Sequence, residues 1–590
     1  MSVATLVLLV GSLLAGSGEA PEPFAAARAA LAAATPGDLA PAQGGVIVPG
    51  GVAVQDADGS QDADAGQDAD GPPDVDGTLS EEESFARDDD DRRHDDGPLS
   101  WWIFSSTWGK DWGSLDIGPG YGLSLGNSKE WSGLRLNVRD YGVRELQGMN
   151  VTLWFPGEVH GSSRIDGLNL GLMMPAAGSG SGVFLGGIGT YTRRRFEGLQ
   201  LAGLAAVSEG SVEGVTLSLG GVLAQEGFSG VQVGGLAAYG GGFRGLTLGG
   251  LATYSEGGTW GLTAAGLANV AEGHQEGIAL GGIANLAEGG MTGFQAGGIT
   301  NVSEGHVTGI QLGGIANIGE GNMTGVQLAG LATLAEGPMT GLQAGGLATV
   351  ADGPMTGGQF GLVAAVSGGG MQGVQLGGLA TVAEGPMTGL HLSGLATVAD
   401  GSLTGIHAGG LATVTQGSGT GVHLSGLVTS AQGDLTGINL SGFATLSGGS
   451  LTGLNVGGAS VVCLEDMTGI NMSFLFVDAG SQEAHEVLGS WYDDDDPPPA
   501  SRITGFSLGG LGVQADQLEG ISASLLVTRC RQMTGLNLAA YNSVSERATG
   551  LSLGLFNSAE DLQGVQIGLL NHVASNPPWA RWLPLVNARF

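Results

Sequence analysis

A unit of 16 residues recurs along most of this chain and limits the folds that it can adopt. The segment "GLATVAEGPMTGLHLSGLATVAD", residues 378–400, contains GLATVA twice, so that Leu379 and Leu395 are 16 positions apart. A fixed period of this length is typical of solenoids and other repeat architectures. The same spacing holds without interruption for the apolar residue that opens each unit, at Leu267, Ile283, Ile299, Ile315, Leu331, Leu347, Val363, Leu379, Leu395, Leu411, Leu427, Phe443, Ala459 and Leu475.

One repeat has the pattern of two short strands joined by two turns. In "TGLHLSGLATVAEGPM", Leu390 and Leu392 alternate with His391, and this period of two indicates a half-buried strand. Leu395 and Val398 then form a second apolar group, and "EGPM" has the composition of a turn. Burying about four large apolar side chains yields roughly 6–12 kcal/mol, whereas ordering the backbone of one repeat costs about 16–32 kcal/mol. Single coils must therefore stack, which predicts an all-β fold, an elongated β-solenoid of about 16-residue repeats.

A second architecture is compatible with the same repeat. If "GLHLSGLATVA" is one continuous strand, it has the length of a transmembrane strand, and the chain ends in Phe590 as many outer-membrane barrels do. The alternative fold is therefore a large antiparallel outer-membrane β-barrel. Barrel strands alternate in direction, whereas successive repeats here are alike, and residues 261–480 contain no Trp or Tyr for aromatic girdles. These observations favour the solenoid.

The segments outside the repeats predict an exported protein with a linker and two caps. "TLVLLVGSLLAG" resembles the apolar core of a signal peptide, and Ser17 stands where a lipoprotein signal requires Cys. Six of the ten Trp residues lie between residues 101 and 154, where they can cover the first coil. The predicted organisation is a signal peptide at 1–20, a disordered Ala/Pro-rich and acidic linker at 21–97, an aromatic-rich N-terminal cap at 98–165, Gly-rich 16-residue repeats at 166–480, an acidic loop insertion at 481–502, shorter repeats at 503–571 and a C-terminal cap at 572–590.

The charge balance restricts the classes of partner. The chain has 56 Asp and Glu against 20 Lys and Arg, a formal net charge of −36. This balance argues against nucleic acid and against anionic membrane surfaces. A membrane partner is expected only if the chain is a barrel. The "DADG" units of the linker have a spacing of six and lack the closing Glu of an EF-hand, so that an acidic linker and a calcium-binding segment remain the two interpretations.

Polar residues also recur at the repeat spacing and form columns. The position of His391 is occupied by Gln in six repeats, by His in the next three and by Asn in the next three. Amide side chains at this spacing can hydrogen-bond to the copies above and below, as in cross-β ladders. We therefore expect these columns to be structural.

Two columns also contain candidate metal ligands. The three imidazoles at His391, His407 and His423 would stack about 4.8 Å apart, close enough to consider a metal, although a solvated ladder is the preferred interpretation. The carboxylates of the "EG" turn form an exposed acidic edge that could bind calcium, and no other cofactor is expected. The candidate carboxylates are Glu272, Glu288, Glu304, Glu320 and Glu336.

No catalytic motif stands apart from the repeat. "GLSLG" at 122–126 and 550–554 and "GFSLG" at 505–509 match the nucleophile elbow G-x-S-x-G, but each is the repeat with Ser in the Gln column. The two cysteines, Cys463 and Cys530, lie three coils apart, about 14 Å. Because a disulfide requires Cα atoms within about 7 Å, we expect two free thiols. With no catalytic motif outside the repeat, we expect that the protein is not an enzyme.

The repeat motif resembles a known bacterial family. "GVQLGGLATVAEG" (373–385), "GLSLGLFNSAEDLQGVQIGLLNHV" (550–573) and the closing "LPLVNARF" are similar to the GLQxG-x-x-N repeats of leptospiral-type surface-repeat proteins. The resemblance implies an exported, envelope-associated protein and assigns no activity. We therefore expect a non-enzymatic structural or binding rod at the cell surface or outer membrane, with an unidentified surface or envelope partner. The alternatives are an outer-membrane barrel protein and a carbohydrate-acting enzyme on a β-helix.

Overall fold

The computed structural model describes residues 113–481, Ala484, Leu488 and residues 500–590. The predicted signal peptide, the linker and most of the acidic insertion lie outside these residues. Within the described part of the chain there are 51 β-strands. No helix in that part is long and apolar enough to cross a membrane.

The strands follow one another along the chain in an alternation of long and short elements. The first six are β1 (Ser114–Ile117), β2 (Tyr121–Gly126), β3 (Glu130–Asn137), β4 (Glu145–Thr152), β5 (Arg164–Gly171) and β6 (Ala176–Ala177). The central strands are β7 (Ser179–Gly186), β8 (Gly189–Thr192), β9 (Phe196–Ala202), β10 (Ala205–Ser208), β11 (Ser211–Ser218), β12 (Gly221–Ala224), β13 (Gly227–Gly234), β14 (Ala237–Gly240), β15 (Phe243–Gly249), β16 (Ala252–Ser255), β17 (Thr259–Ala265), β18 (Ala268–Ala271), β19 (Gln275–Gly281), β20 (Ala284–Ala287), β21 (Met291–Gly297), β22 (Thr300–Ser303), β23 (Val307–Gly313), β24 (Ala316–Gly319), β25 (Met323–Ala329), β26 (Ala332–Ala335), β27 (Met339–Gly345), β28 (Ala348–Ala351), β29 (Met355–Gly361), β30 (Ala364–Ser367), β31 (Met371–Gly377), β32 (Ala380–Ala383), β33 (Met387–Ser393), β34 (Ala396–Ala399), β35 (Leu403–Gly409), β36 (Ala412–Thr415), β37 (Gly419–Ser425), β38 (Val428–Ala431), β39 (Leu435–Ser441), β40 (Ala444–Ser447), β41 (Leu451–Gly457), β42 (Ser460–Cys463), β43 (Met467–Ser473) and β44 (Phe476–Ala479). The last seven are β45 (Arg502–Gly509), β46 (Gly512–Gln514), β47 (Gln517–Ser524), β48 (Val527–Leu538), β49 (Tyr541–Leu553), β50 (Phe556–Val573) and β51 (Trp582–Arg589).

Each coil of the repeat region consists of one long and one short strand, and equivalent strands of successive coils pair in parallel. The long strand β33 pairs with β31 and β35, so that Met387 lies beside Met371 and Leu403. The short strand β34 pairs in the same way with β32 and β36. This pairing confirms the β-solenoid, which has about 26 turns of roughly 16 residues. At about 4.8 Å per coil the stack is about 125 Å long.

The alternative of a large antiparallel barrel is wrong. In a barrel of that kind consecutive strands run in opposite directions. Here each long strand of the repeats pairs with the long strands 16 residues before and after it, all in parallel. Each repeat therefore forms one complete coil, and its strands pair with the equivalent strands of the next coil. The function of an outer-membrane barrel protein, which depended on the barrel fold, is excluded with that fold.

The orientation of the long strand is the reverse of the one that we expected from the sequence. His391 is fully buried, whereas Leu392 and Leu395 are exposed and Leu390 is half-buried on the outside. Besides the polar side chains of His391 and Thr397, the interior of the coil contains one large apolar side chain, such as Met387, packed with a small one such as Ala399. A thin coil of two strands has room for little more, and the leucines consequently point outward.

Glycine in a left-handed conformation bends the long strand at the same place in every coil. Gly325 has a φ of 135°, and a Cβ atom added there would lie 2.0 Å from the carbonyl oxygen of Gly309 in the preceding coil. Side chains are strongly disfavoured in this region of φ. The column of glycines thus allows successive backbones to approach closely.

Substituting one glycine of this column should be far more harmful than substituting a nearby glycine outside it. We expect Gly325→Ala to destabilise its coil by at least about 1–3 kcal/mol through backbone strain alone. Gly319→Ala is the matched control, because a Cβ there meets nothing closer than Gln327 Nε2 at 4.0 Å and should be neutral or stabilise by about 0.4–1 kcal/mol. Urea denaturation and hydrogen exchange of both variants measure the difference; equal effects would contradict the role of the column.

The ends of the solenoid carry the two antiparallel pairings that the described residues contain. Strand β1 pairs antiparallel with β2, and β51 pairs antiparallel with β50. Parallel pairing between coils begins at β2 and β3, upstream of residue 166. In these first coils the interior column contains the buried ion pair Arg135–Asp140, which also hydrogen-bonds to Asn150. Burial by itself would raise the pKa of Asp140, but the charge of Arg135 and the hydrogen bond from it hold this pKa below its ordinary value.

The two cysteines are free, as the spacing predicted. Strand β42 pairs with β44, β44 with β46 and β46 with β48, which places Cys463 and Cys530 three coils apart. Both thiols are buried, and burial raises the pKa of Cys530 to about 12. The acidic insertion therefore interrupts the sequence period without interrupting the stack.

Candidate functional site

The three candidate histidines lie inside the solenoid. His391, His407 and His423 occupy the same position of strands β33, β35 and β37, and all three are fully buried. Their rings stack face to face, with centroids 4.9 Å and 5.5 Å apart and interplanar angles of 2° and 10°. The prediction of a solvated ladder is therefore wrong, because the whole polar column faces the interior.

Burial keeps these imidazoles neutral. It lowers the pKa of His391 to about 4 and that of His407 to about 3, where the neighbouring His391 and His423 add to the effect. The pKa of His423 is lowered for the same reason, although its hydrogen bond to Asn439 opposes the shift. A neutral imidazole could in principle coordinate a metal, but stacked rings direct their nitrogens in parallel and do not converge on one ion. Across the described residues no group of three or more His, Cys, Asp or Glu side chains is arranged to hold a metal ion.

The histidine stack is one section of a buried polar column, in which the amides before and after the stack hydrogen-bond from coil to coil, as the sequence predicted, while His391 and His407 contact their neighbours through stacked rings. Gln343 Nε2 donates a hydrogen bond to Gln327 Oε1 at 3.1 Å and to the carbonyl oxygen of Val350 at 2.9 Å. On the other side of the stack His423 Nδ1 lies 2.8 Å from Asn439 Oδ1, and Asn439 Nδ2 donates to Asn455 Oδ1 at 2.8 Å. Since the amides of the central coils, such as those from Gln311 to Gln375 and from Asn439 to Asn471, bond to a copy one coil away, the ladder replaces an apolar core in this half of the coil.

The candidate carboxylates lie on an exposed edge, at the turn that follows each short strand. Glu272, Glu288, Glu304, Glu320 and Glu336 stand in successive coils, and the backbone N–H of Glu288 bonds to the carbonyl oxygen of Ala271 in the coil before. Partial burial and the neighbouring carboxylates raise the pKa of Glu288 and of Glu320. The column thus forms an acidic edge in which like charges repel, and calcium binding along it stays a prediction.

The outward leucines form a surface that sequence reasoning missed. We call it the apolar face: the outward side chains at the positions of Leu390, Leu392 and Leu395 in each coil. These positions are held mainly by Leu, Ile, Val and Ala, and many of the large side chains among them are at least 36% exposed. The sequence did contain one signal for this surface, the column of amides. Identical amides in successive repeats indicate side-chain hydrogen bonds between neighbouring coils, and the apolar residues that alternate with these amides lie on the other side of the strand.

Open grooves run along the apolar face, parallel to the solenoid axis. One of them has a volume of about 820 Å³ and extends over six coils, from Val233 to Gly314. It is lined mainly by paired glycines and by a row that alternates large and small residues at Leu248, Ala264, Leu280, Ala296 and Leu312. A second groove of about 800 Å³ continues towards the N-terminus, and a third of about 500 Å³ lies between Ser393 and Val456.

Between residues 203 and 510, three side chains project from the apolar face where the floor glycine is replaced. Leu219, Leu362 and Phe474 are 80%, 74% and 76% exposed. They divide the glycine floor into segments, so that grooves and projecting side chains share one surface. An exposed apolar surface of this extent is uncommon on a monomeric protein.

The serines of the three G-x-S-x-G matches occupy the Gln column, as predicted, and this column faces the interior. Ser507 of β45 lies beside Asn471, and Ser552 of β49 lies between Asn537 and Gln566. Ser124 occupies the same column beside Arg135. Each of these hydroxyls is buried between neighbouring strands, whereas a nucleophile elbow requires an exposed strand-to-helix turn.

Comparison of the chain with protein-family models, with curated proteins and with solved structures finds no match. The function is therefore inferred from the arrangement of side chains on the solenoid. Its chemistry resides in three parallel strips: an interior amide and imidazole ladder, an exposed acidic edge and an exposed apolar face.

Proposed function

We propose that this chain is an exported bacterial surface-repeat protein that acts as a structural or binding rod at the cell envelope, without catalytic activity of its own. The observation that carries this proposal is the stack of about 26 coils, which presents apolar residues at equivalent outward positions in successive coils. A surface that repeats every 4.8 Å or so suits contact with an extended or repetitive partner.

Two features of the sequence support an envelope location. The apolar segment at residues 5–16 is suited to export, and the repeats resemble those of surface-repeat proteins. The two buried thiols are compatible with an oxidising compartment, because neither is exposed or close enough to the other to form a disulfide.

Fractionation of the bacterium that produces the protein tests this proposal. We expect the protein in the envelope fraction or on the surface, with an N-terminus near residue 21 when the purified chain is analysed by mass spectrometry. A variant with Leu8→Arg and Leu9→Arg in the apolar segment serves as the control and should remain in the cytoplasm with its N-terminus intact. A wild-type protein that stays cytoplasmic and uncleaved would refute export.

A further inference from the structure

The apolar face is too large to be an ordinary solvent-exposed surface. Over roughly twenty coils, with about 4.8 Å per coil and a width of about 10 Å for its three columns, it covers about 1,000 Å² on one copy. Monomeric soluble proteins rarely expose contiguous apolar patches above a few hundred Å². Two such faces packed together would bury about 2,000 Å², which is within the range of stable protein interfaces.

The relief of the face is complementary to itself. Leu362 projects at 74% exposure, while two glycine-lined grooves of about 820 Å³ and 500 Å³ lie a few coils before and after it on the same face. In a two-fold symmetric contact, a projection on one copy enters a groove on the other and the reverse contact follows from the symmetry. The alternation of Leu280 with Ala264 and Ala296 along the groove wall adds a finer set of knobs and holes.

The charges are placed so that two copies can approach through this face. From residue 245 to residue 501 the chain contains no Lys or Arg. The acidic edge, including Glu304 and Asp400, follows the short strand, whereas the bend at Gly394 and Leu395 that borders the apolar face precedes it. The carboxylates therefore lie at the other end of the coil and do not meet across the contact.

The same observations disfavour a lipid bilayer as the occupant. Binding to membrane surfaces is supported by Lys and Arg near the headgroups and by Trp and Tyr at the interface. Residues 261–480 lack all four residue types. We infer that the apolar face is the interface of a homodimer, in which the solenoids of two copies of this chain pack face to face. Because self-association is a property of the solenoid, this inference goes beyond the proposed envelope function and stands independently of it.

Sedimentation velocity of the full chain in detergent-free buffer, from 1 to 100 µM, tests the dimer. We expect a species of twice the mass of the chain. The variant Leu362→Glu with Phe474→Glu, which changes exposed side chains on the face, should raise the dissociation constant at least roughly a hundredfold, since each substitution occurs twice in a symmetric interface. The control Gln416→Glu with Gln432→Glu adds the same charge to the exposed acidic edge and should leave the dimer intact.

Three results would overturn the inference. One is a wild-type chain that is monomeric throughout this concentration range. Another is a monomer that floats with phosphatidylcholine vesicles, which would make the face a membrane surface. The last is that the two double variants, both shown by circular dichroism to be folded, behave alike, so that the dimer dissociates equally in both or stays intact in both. Cytoplasmic retention of the protein would refute export and leave the dimer untouched, so that the two proposals fail separately.

Discussion

Deleting half a coil is expected to disrupt the repeat region, whereas deleting a whole coil should leave it folded. Removal of residues 379–394 joins Gly378 to Leu395, which restores the repeat and brings β31 beside β35 in the register that β33 had. The stability of a solenoid is approximately a sum over neighbouring coils, so that the loss should be small. Removal of residues 379–386 deletes the short strand β32 and joins β31 directly to β33.

The half-coil deletion does more damage because it removes one short strand from the stack of short strands. Strands β30 and β34 lose the neighbour between them, and their backbone groups lose hydrogen bonds that no other segment can supply. Far-UV circular dichroism and thermal unfolding of the two deletion variants measure the effect: we expect a cooperative transition within a few degrees of the wild type for the longer deletion and its loss or marked lowering for the shorter one. The idea that one 16-residue unit is one coil would be abandoned if the longer deletion were as harmful as the shorter.

Acidification is expected to destabilise the coils that contain the histidine stack. In the unfolded chain the imidazoles have a pKa of 6.5, whereas burial holds that of His391 at about 4 and that of His407 at about 3 in the fold. Between these values the unfolded chain binds protons that the folded chain does not, so that stability is fully present above pH 6.5 and falls as the pH is lowered towards 4. Each histidine contributes a loss of about 1.4 kcal/mol per pH unit within this window.

A matched variant separates the histidines from the carboxylates. Replacing His391, His407 and His423 by Gln extends the ladder of Gln359 and Gln375, in which Gln375 Nε2 donates to Gln359 Oε1 at 2.8 Å. Urea denaturation at pH 7.5, 6.5, 5.5 and 4.5 should show a steep decline for the wild type and a shallow one for the triple variant, since both retain the same acidic edge. Parallel declines in the two proteins would show that the stack is not buried in neutral form.

The placement of the candidate residues could be predicted only in part. The spacing of His391, His407 and His423 correctly predicted a stack, and the recurrence of Gln and Asn in their column correctly predicted a ladder between coils. What could not be predicted was that this column faces inward. The exposed leucines and the grooves beside them were missed for the same reason, because both depend on which side of the strand the coil encloses.

The sequence by itself determined the period, the two strands of each coil and the need to stack, because an interval of 16 residues brings equivalent side chains into register whatever their orientation. Tertiary structure decided which face is inside. An alternation of apolar and polar residues has a period of two and is satisfied equally well with either face buried. The direction in which the strand curves settles the choice, and this curvature arises at glycines such as Gly389, which has a φ of 124°. A side chain is excluded there because the backbone of Gly373 in the preceding coil lies so close. The buried amides and imidazoles are then stabilised by partners 16 residues away, which exist only once the coils are stacked.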